Sequence, residues 1–104
     1  MGLTVEVVEL LDEMPRTRFC AHVSMQLSRS VTSAGANYEE ARHSESRADF
    51  VHKVGVAAKE MAESLYWLRV IERLKTTKTT PPSNEADELL RILVASARTA
   101  RRRL

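Results

Sequence analysis

The sequence predicts an all-α chain: an antiparallel, up-down-up-down four-helix bundle with a short first helix. Three observations carry that prediction. Apolar residues recur at steps of three and four in four separate stretches, the period of a helix with one buried face. Breakers separate those stretches cleanly. Aromatic residues are only 5% of the 104, beside 3 Gly and 3 Pro, too little strand and turn material for a β-sandwich. The length suits a single domain over residues 1–104, and 43% apolar residues argue against general disorder.

The first helix is expected from about Leu3 to Glu13, with Val5, Val8, Leu11 and also Val7 on its apolar side. Pro15 ends it by disfavouring helical geometry at Met14. The second is expected from about Thr17 to His43, with Phe19, Val23, Leu27, Val31 and Ala34 as its core-facing stripe. Ser46 and Asp49 have the spacing of a capping box, so the third helix should run from about Arg47 to Leu74. Phe50, Val54, Ala57, Met61, Leu65, Leu68 and Ile71 keep one period along it. Thr76 to Pro82 reads as a loop of polar β-branched residues closed by two prolines. Ser83 or Asn84 is the expected cap of the fourth helix, where Leu89, Ile92 or Leu93, Ala97 and Ala100 lead toward Arg103. At 1.5 Å per residue the two middle helices would be about 40 Å long and the first only about 16 Å. A bundle wants rods of similar length. The short first rod should leave part of the long pair uncovered, which predicts oligomerisation unless the second or fourth helix bends over the gap.

Composition excludes several classes. No apolar run approaches the roughly 18 residues of a membrane span, and no signal peptide opens the sequence. A single cysteine, Cys20, cannot form an internal disulfide and fits a reducing, cytoplasmic setting. With 16 basic and 14 acidic residues the net charge is +2. The charge is unevenly spread: Arg98, Arg101, Arg102 and Arg103 crowd the last seven positions. Glu6, Glu9, Asp12 and Glu13 occupy the first fifteen, which hold no Lys or Arg. A basic end attracts phosphate.

The stretch from Gln26 to Glu40 carries Gln26, Arg29, Ser33, Asn37 and Glu40 in the pattern Q-x-x-R-x-x-x-S-x-x-x-N-x-x-E. The third stretch adds Asp49-Phe50, then Ala57 to Glu60, then Glu63 to Leu68. Together these motifs resemble the bacterial four-helix-bundle family named for proteins encoded in intervening sequences of 23S rRNA genes, over about residues 5 to 100. The resemblance implies a cytoplasmic bundle that assembles into a homopentamer around a central channel, with no established enzymatic activity. Related bundles are accessory proteins of diversity-generating retroelements, which bind reverse transcriptase and nucleic acid. Two departures stand out. Ala41 replaces a frequent glycine. The first helix is shorter than the family's, as expected of a chain shortened at its start or begun at a downstream Met.

Gln26, Arg29, Ser33, Asn37 and Glu40 form one polar stripe on the second helix. Such a stripe builds a hydrogen-bond network, with Arg29 reaching Glu60 or Glu63, or else offers Arg29 and Asn37 to a ligand. The first use is favoured, and Gly35 beside it would let another backbone come close. Arg42, His43, Arg47 and Lys53 form a basic set near the second turn, and Arg98 to Arg103 a second. The two sets are expected at opposite ends of the bundle, giving a ring of subunits two basic rims whose avidity multiplies weak phosphate contacts. Arg42, Arg47, Lys53, Arg98, Arg101, Arg102 and Arg103 are thus the candidate nucleic-acid contacts. The alternative is a purely structural protein–protein module, for example an accessory subunit of a reverse transcriptase or other nucleic-acid enzyme. Tyr66 and Trp67 have the chemistry to stack on bases, but adjacent residues of a helix point in different directions, so core or interface packing is expected; Cys20 is expected in the core and the three histidines at the surface. Glu40-x-x-His43 and Asp49-x-x-His52 are each half of a di-iron motif and carry a third reading, a metal-binding redox protein, but they cluster at one end, so no metal or cofactor is assigned. No nucleophile elbow, phosphate-cradling glycine loop or zinc-spaced cysteine set is present, which argues against an enzyme.

Overall fold

The computed structural model describes residues 2–104. Four α-helices follow one another and no strand occurs among these residues: α1 (Gly2–Leu11), α2 (Arg18–Arg42), α3 (Arg47–Leu74) and α4 (Ser83–Arg102). They pack as an elongated four-helix bundle of 47 × 20 × 19 Å. The all-α architecture read from the apolar period is the one observed.

Local chemistry starts and stops each helix. Thr17 caps α2, its hydroxyl accepting from the Cys20 amide at 3.1 Å, and Ser46 caps α3 in the same way from Asp49 at 3.1 Å. Each bond satisfies a donor that the first helical turn leaves free. Lys75 ends α3 in the left-handed conformation (φ 54°), donating its amide to Ile71. The cap of α4 differs from expectation. Pro82 stands there with no side-chain bond, and the Ser83 hydroxyl, already inside the helix, is buried without a partner.

The core is a single apolar seam in which Leu10, Val23, Leu27, Val54, Leu68 and Ile71 are almost wholly enclosed. Enclosing each large aliphatic side chain contributes about 1.5–3 kcal/mol. A polar insertion is Ser30 against Ser64, 2.8 Å apart: one hydroxyl donates to the other, which in turn donates to the carbonyl one turn earlier, Leu27 for Ser30 or Glu60 for Ser64. Cys20 is buried and His22, His43 and His52 are exposed.

Two facial assignments change, on α1 and α2, and on α4 an open alternative is resolved. On α1 the buried line is Leu3, Val7 and Leu10, while Val5 and Val8 face outward. The helix offers two apolar stripes, and packing takes the one with two leucines because it removes more area from water. On α4 Leu93 enters the core and Ile92 remains 59% exposed. On α2 Phe19 is 53% exposed. It keeps a four-residue step to Val23 but leans onto the flank facing α3, while Cys20 takes the inward position.

The loops pair by end. Residues 12–17 meet the α3–α4 loop, where Glu13 accepts from the amides of Lys78 and Thr79 at 2.7 and 2.8 Å and from the Thr79 hydroxyl. The α2–α3 turn and the C-terminus share the other end. At about 15 Å, α1 reaches from the first loop only to Gly35 of α2 and to the neighbourhood of Met61 in α3 (helices of about 37 and 42 Å). Exposed Tyr38 and Ile92 line an open trough there, with cavities of about 360 Å³ beside Leu3 and about 770 Å³ against the α2–α3 turn. Gly35 admits no backbone: a Cβ there would sit 3.9 Å from the Thr4 hydroxyl, an ordinary contact.

Candidate nucleic-acid interface

The polar stripe of α2 lies along its seam with α3. Arg29 bridges Glu60 at 3.0 Å and Glu63 at 2.5 Å, and Trp67 donates its indole N–H to the same Glu63 oxygen at 3.1 Å. The Arg29 guanidinium, then the indole, hold the Glu63 carboxyl below the usual carboxylate range. Two turns on, the Asn37 amide donates to the Ser33 carbonyl at 2.9 Å and faces its hydroxyl at 3.3 Å. Glu40 lies 3.5 Å from Lys53, and Gln26 is half-buried on the same side. The stripe's charges are spent inside the chain.

The basic residues are arranged differently from expectation. They do not form two rims. In an up-down order α4 runs antiparallel to α3, so its C-terminus returns to the end where α3 begins. Arg47 and Arg103 accordingly line the same cavity against the α2–α3 turn, with Phe50 on its wall and Glu45 at its edge. On the neighbouring side Arg101 joins His52 and Lys59 around a cleft of about 450 Å³ between α3 and α4. Arg42 is engaged by Glu39 at 3.2 Å, and Lys53 by Glu40 and by Asp49 at 3.6 Å. Arg47, Arg98, Arg101, Arg102 and Arg103 make no ion pair among the described residues. Cations without internal partners at one end form an electrostatic footprint for polyanions. Lys59 was not singled out from the sequence and His52 only as part of a di-iron half-motif, although their seven-residue spacing puts both on one face of α3.

At the opposite end two carboxyls are perturbed by their surroundings within the chain. The Thr79 hydroxyl and amide hold the Glu13 carboxyl below its ordinary range. Burial, reinforced by neighbouring Glu6, pushes the Glu85 carboxyl up, and its Oε2 is enclosed without a partner. At the basic end the half-motifs for a di-iron centre do not converge. Glu40 is bound to Lys53, and the His43 ring sits 3.0 Å from the Glu39 carbonyl. Among the described residues no three His, Cys, Asp or Glu side chains stand close enough to hold a metal ion.

The pattern of 23S rRNA-intervening sequence proteins matches residues 1–95. The chain belongs to this family. The match takes in α1, α2, α3 and most of α4, and ends before Arg98, so the terminal arginines lie beyond it. No curated protein and no solved structure matches the chain. Within this 23S rRNA-intervening sequence protein, no helix among the described residues is long and apolar enough to cross a membrane.

Proposed function

We propose that this member of the family is a non-catalytic, cytoplasmic, self-assembling binding protein that holds structured RNA or another nucleic acid at its single basic end. One observation carries the reading: Arg47, Arg98, Arg101, Arg102 and Arg103 gather at one end without internal ion-pair partners. Phosphates replace the missing carboxylates and release counterions as they bind. Assembly into a homo-oligomer, a homopentamer by the resemblance to the family, would repeat that end in one ring and turn modest contacts into avidity. The open trough beside Tyr38 and Ile92 supports assembly, because it leaves apolar surface that a neighbouring chain would cover.

The same trough supports a second reading, a protein–protein module serving a reverse transcriptase or other nucleic-acid enzyme. Binding of a labelled structured RNA across a salt series separates the two. The nucleic-acid reading expects a log–log slope of about −3 or steeper, each phosphate contact contributing about −0.9. It also expects loss of binding when Arg101, Arg102 and Arg103 are changed to Glu. Affinity that survives both salt and charge reversal defeats it. Light scattering across a size-exclusion peak gives the oligomeric state, and a monomer would remove the avidity argument.

A further inference from the structure

Far from the basic end, the first turn of α2 and the last turns of α3 flank a shallow, open cleft of about 520 Å³. Phe19, Tyr66, Arg69, Val70, Arg73 and Leu74 line it. Its composition is unusual for a surface. Phe19 is 53% and Tyr66 60% exposed, although a chain with 5% aromatic residues has few rings to leave in water. Arg69 and Arg73 make no ion pair among the described residues, and no carboxylate lines the cleft.

The arrangement is also braced. Tyr66, Arg69 and Arg73 fall at steps of three and four, so they stand on one face of α3 over about 10 Å. Tyr66 rests edge-on against Trp67, ring centroids 4.9 Å apart at 74°. Trp67 is itself fastened by Glu63 and by the edge of His22 at 5.8 Å. A ring held in place binds a flat ligand with little loss of rotamer freedom.

We propose that this cleft binds an unstacked nucleobase together with its phosphate. The base stacks on Tyr66 and Phe19, and the Arg69 and Arg73 guanidinium groups take the phosphate oxygens. Aromatic surface with unpaired guanidinium groups is the chemistry by which proteins hold single strands without reading sequence. A duplex, whose bases are already stacked, offers nothing to the rings. The site is separate from the basic end and needs none of its arginines.

The test uses the full chain carrying Arg101→Glu, Arg102→Glu and Arg103→Glu, so that binding at the other end is suppressed. Emission of Trp67, the chain's one tryptophan, is titrated with a short oligouridylate, with AMP, with inorganic phosphate and with a blunt RNA duplex. The anisotropy of a labelled oligouridylate is followed in parallel. A saturable response to the oligouridylate is expected, weakened about tenfold to a hundredfold by Tyr66→Ala. Phe19→Ala and the pair Arg69→Glu, Arg73→Glu should weaken it independently. Saturation by AMP at similar concentration identifies a free nucleotide as the ligand, and saturation by the strand alone identifies single-stranded nucleic acid. Either sustains the site. It is overturned if neither AMP nor the strand binds, if phosphate or duplex binds as well as the strand, or if Tyr66→Ala and Phe19→Ala leave the anisotropy unchanged. A change in molecular mass by light scattering in Tyr66→Ala would also overturn it, since the cleft would then be a contact between copies.

Discussion

The two ends of this bundle are built from similar polar material and use it in opposite ways. At the end joining residues 12–17 to the α3–α4 loop, the Glu13 carboxylate is consumed by the Lys78 and Thr79 amides, and α1 lies over the core. At the end joining the α2–α3 turn to the C-terminus, α1 does not reach, and five arginines have no internal partner. Groups satisfied within the chain hold the fold together. Groups left unsatisfied at a surface are available to something else, and the proposed nucleic-acid site at the second end rests on its unpaired arginines.

The sharpest way to break that contrast is charge reversal at Arg101, Arg102 and Arg103. RNA affinity should fall about a hundredfold or more at low salt, while the melting temperature stays nearly constant because these side chains are exposed. A comparable loss from reversing arginines at the clamped end would erase the distinction. Packing gives the next effect. Leu10, buried near the clamped end, should cost about 2–5 kcal/mol as Leu10→Ala. Exposed Ile92 in the trough should cost within about 0.5 kcal/mol as Ile92→Ala, and urea denaturation measures both. Between the ends, Ser64→Ala should cost only about 0.5–1.5 kcal/mol in urea denaturation, because Ser30 keeps the Leu27 carbonyl as its acceptor. A larger loss would show that the contact between the two hydroxyls, not the bond to the carbonyl, holds Ser30.

Titration separates the groups by sign. Glu63 and Glu13 are held below the ordinary value of 4.5, so the stability they contribute is present above it and lost as pH falls through their lowered values. Glu85 is held above 4.5. The native state keeps its proton longer than the unfolded chain, so stability is lost as pH rises from 4.5 through the raised value. Melting temperature against pH should show Glu85→Gln stabilising at neutral pH and losing that advantage below 4.5. Glu63→Gln should be destabilising at neutral pH instead. Glu13→Gln gives the smallest and most local effect: faster hydrogen exchange at the Lys78 and Thr79 amides with the basic end unchanged. Protection that persists would mean the loop is held by packing, such as Thr76 against Met14, 4.0 Å apart.

Much of this was legible before any coordinates, because helix period and capping are local properties of the chain. The spacing of Ser46 and Asp49, the prolines at 81 and 82, and the run from Val54 to Ile71 all act within a few residues of themselves. The motif from Gln26 to Glu40 carried the family. Which stripe of α1 would be buried was not legible, since Leu3, Val7 and Leu10 compete with Val5 and Val8 on equal periodic terms. Phe19 misled for a related reason: a four-residue step to Val23 is shared by the core line and by its flank.

Residue order was enough for four helices, their turns and their kinship, because each depends on neighbours along the chain. The convergence of Arg47 with Arg103, the cleft between Phe19 and Tyr66, and the trough beyond α1 belong to the packed bundle. They depend on which ends and faces meet across tens of residues of sequence, and burial of the core, not local propensity, determines that.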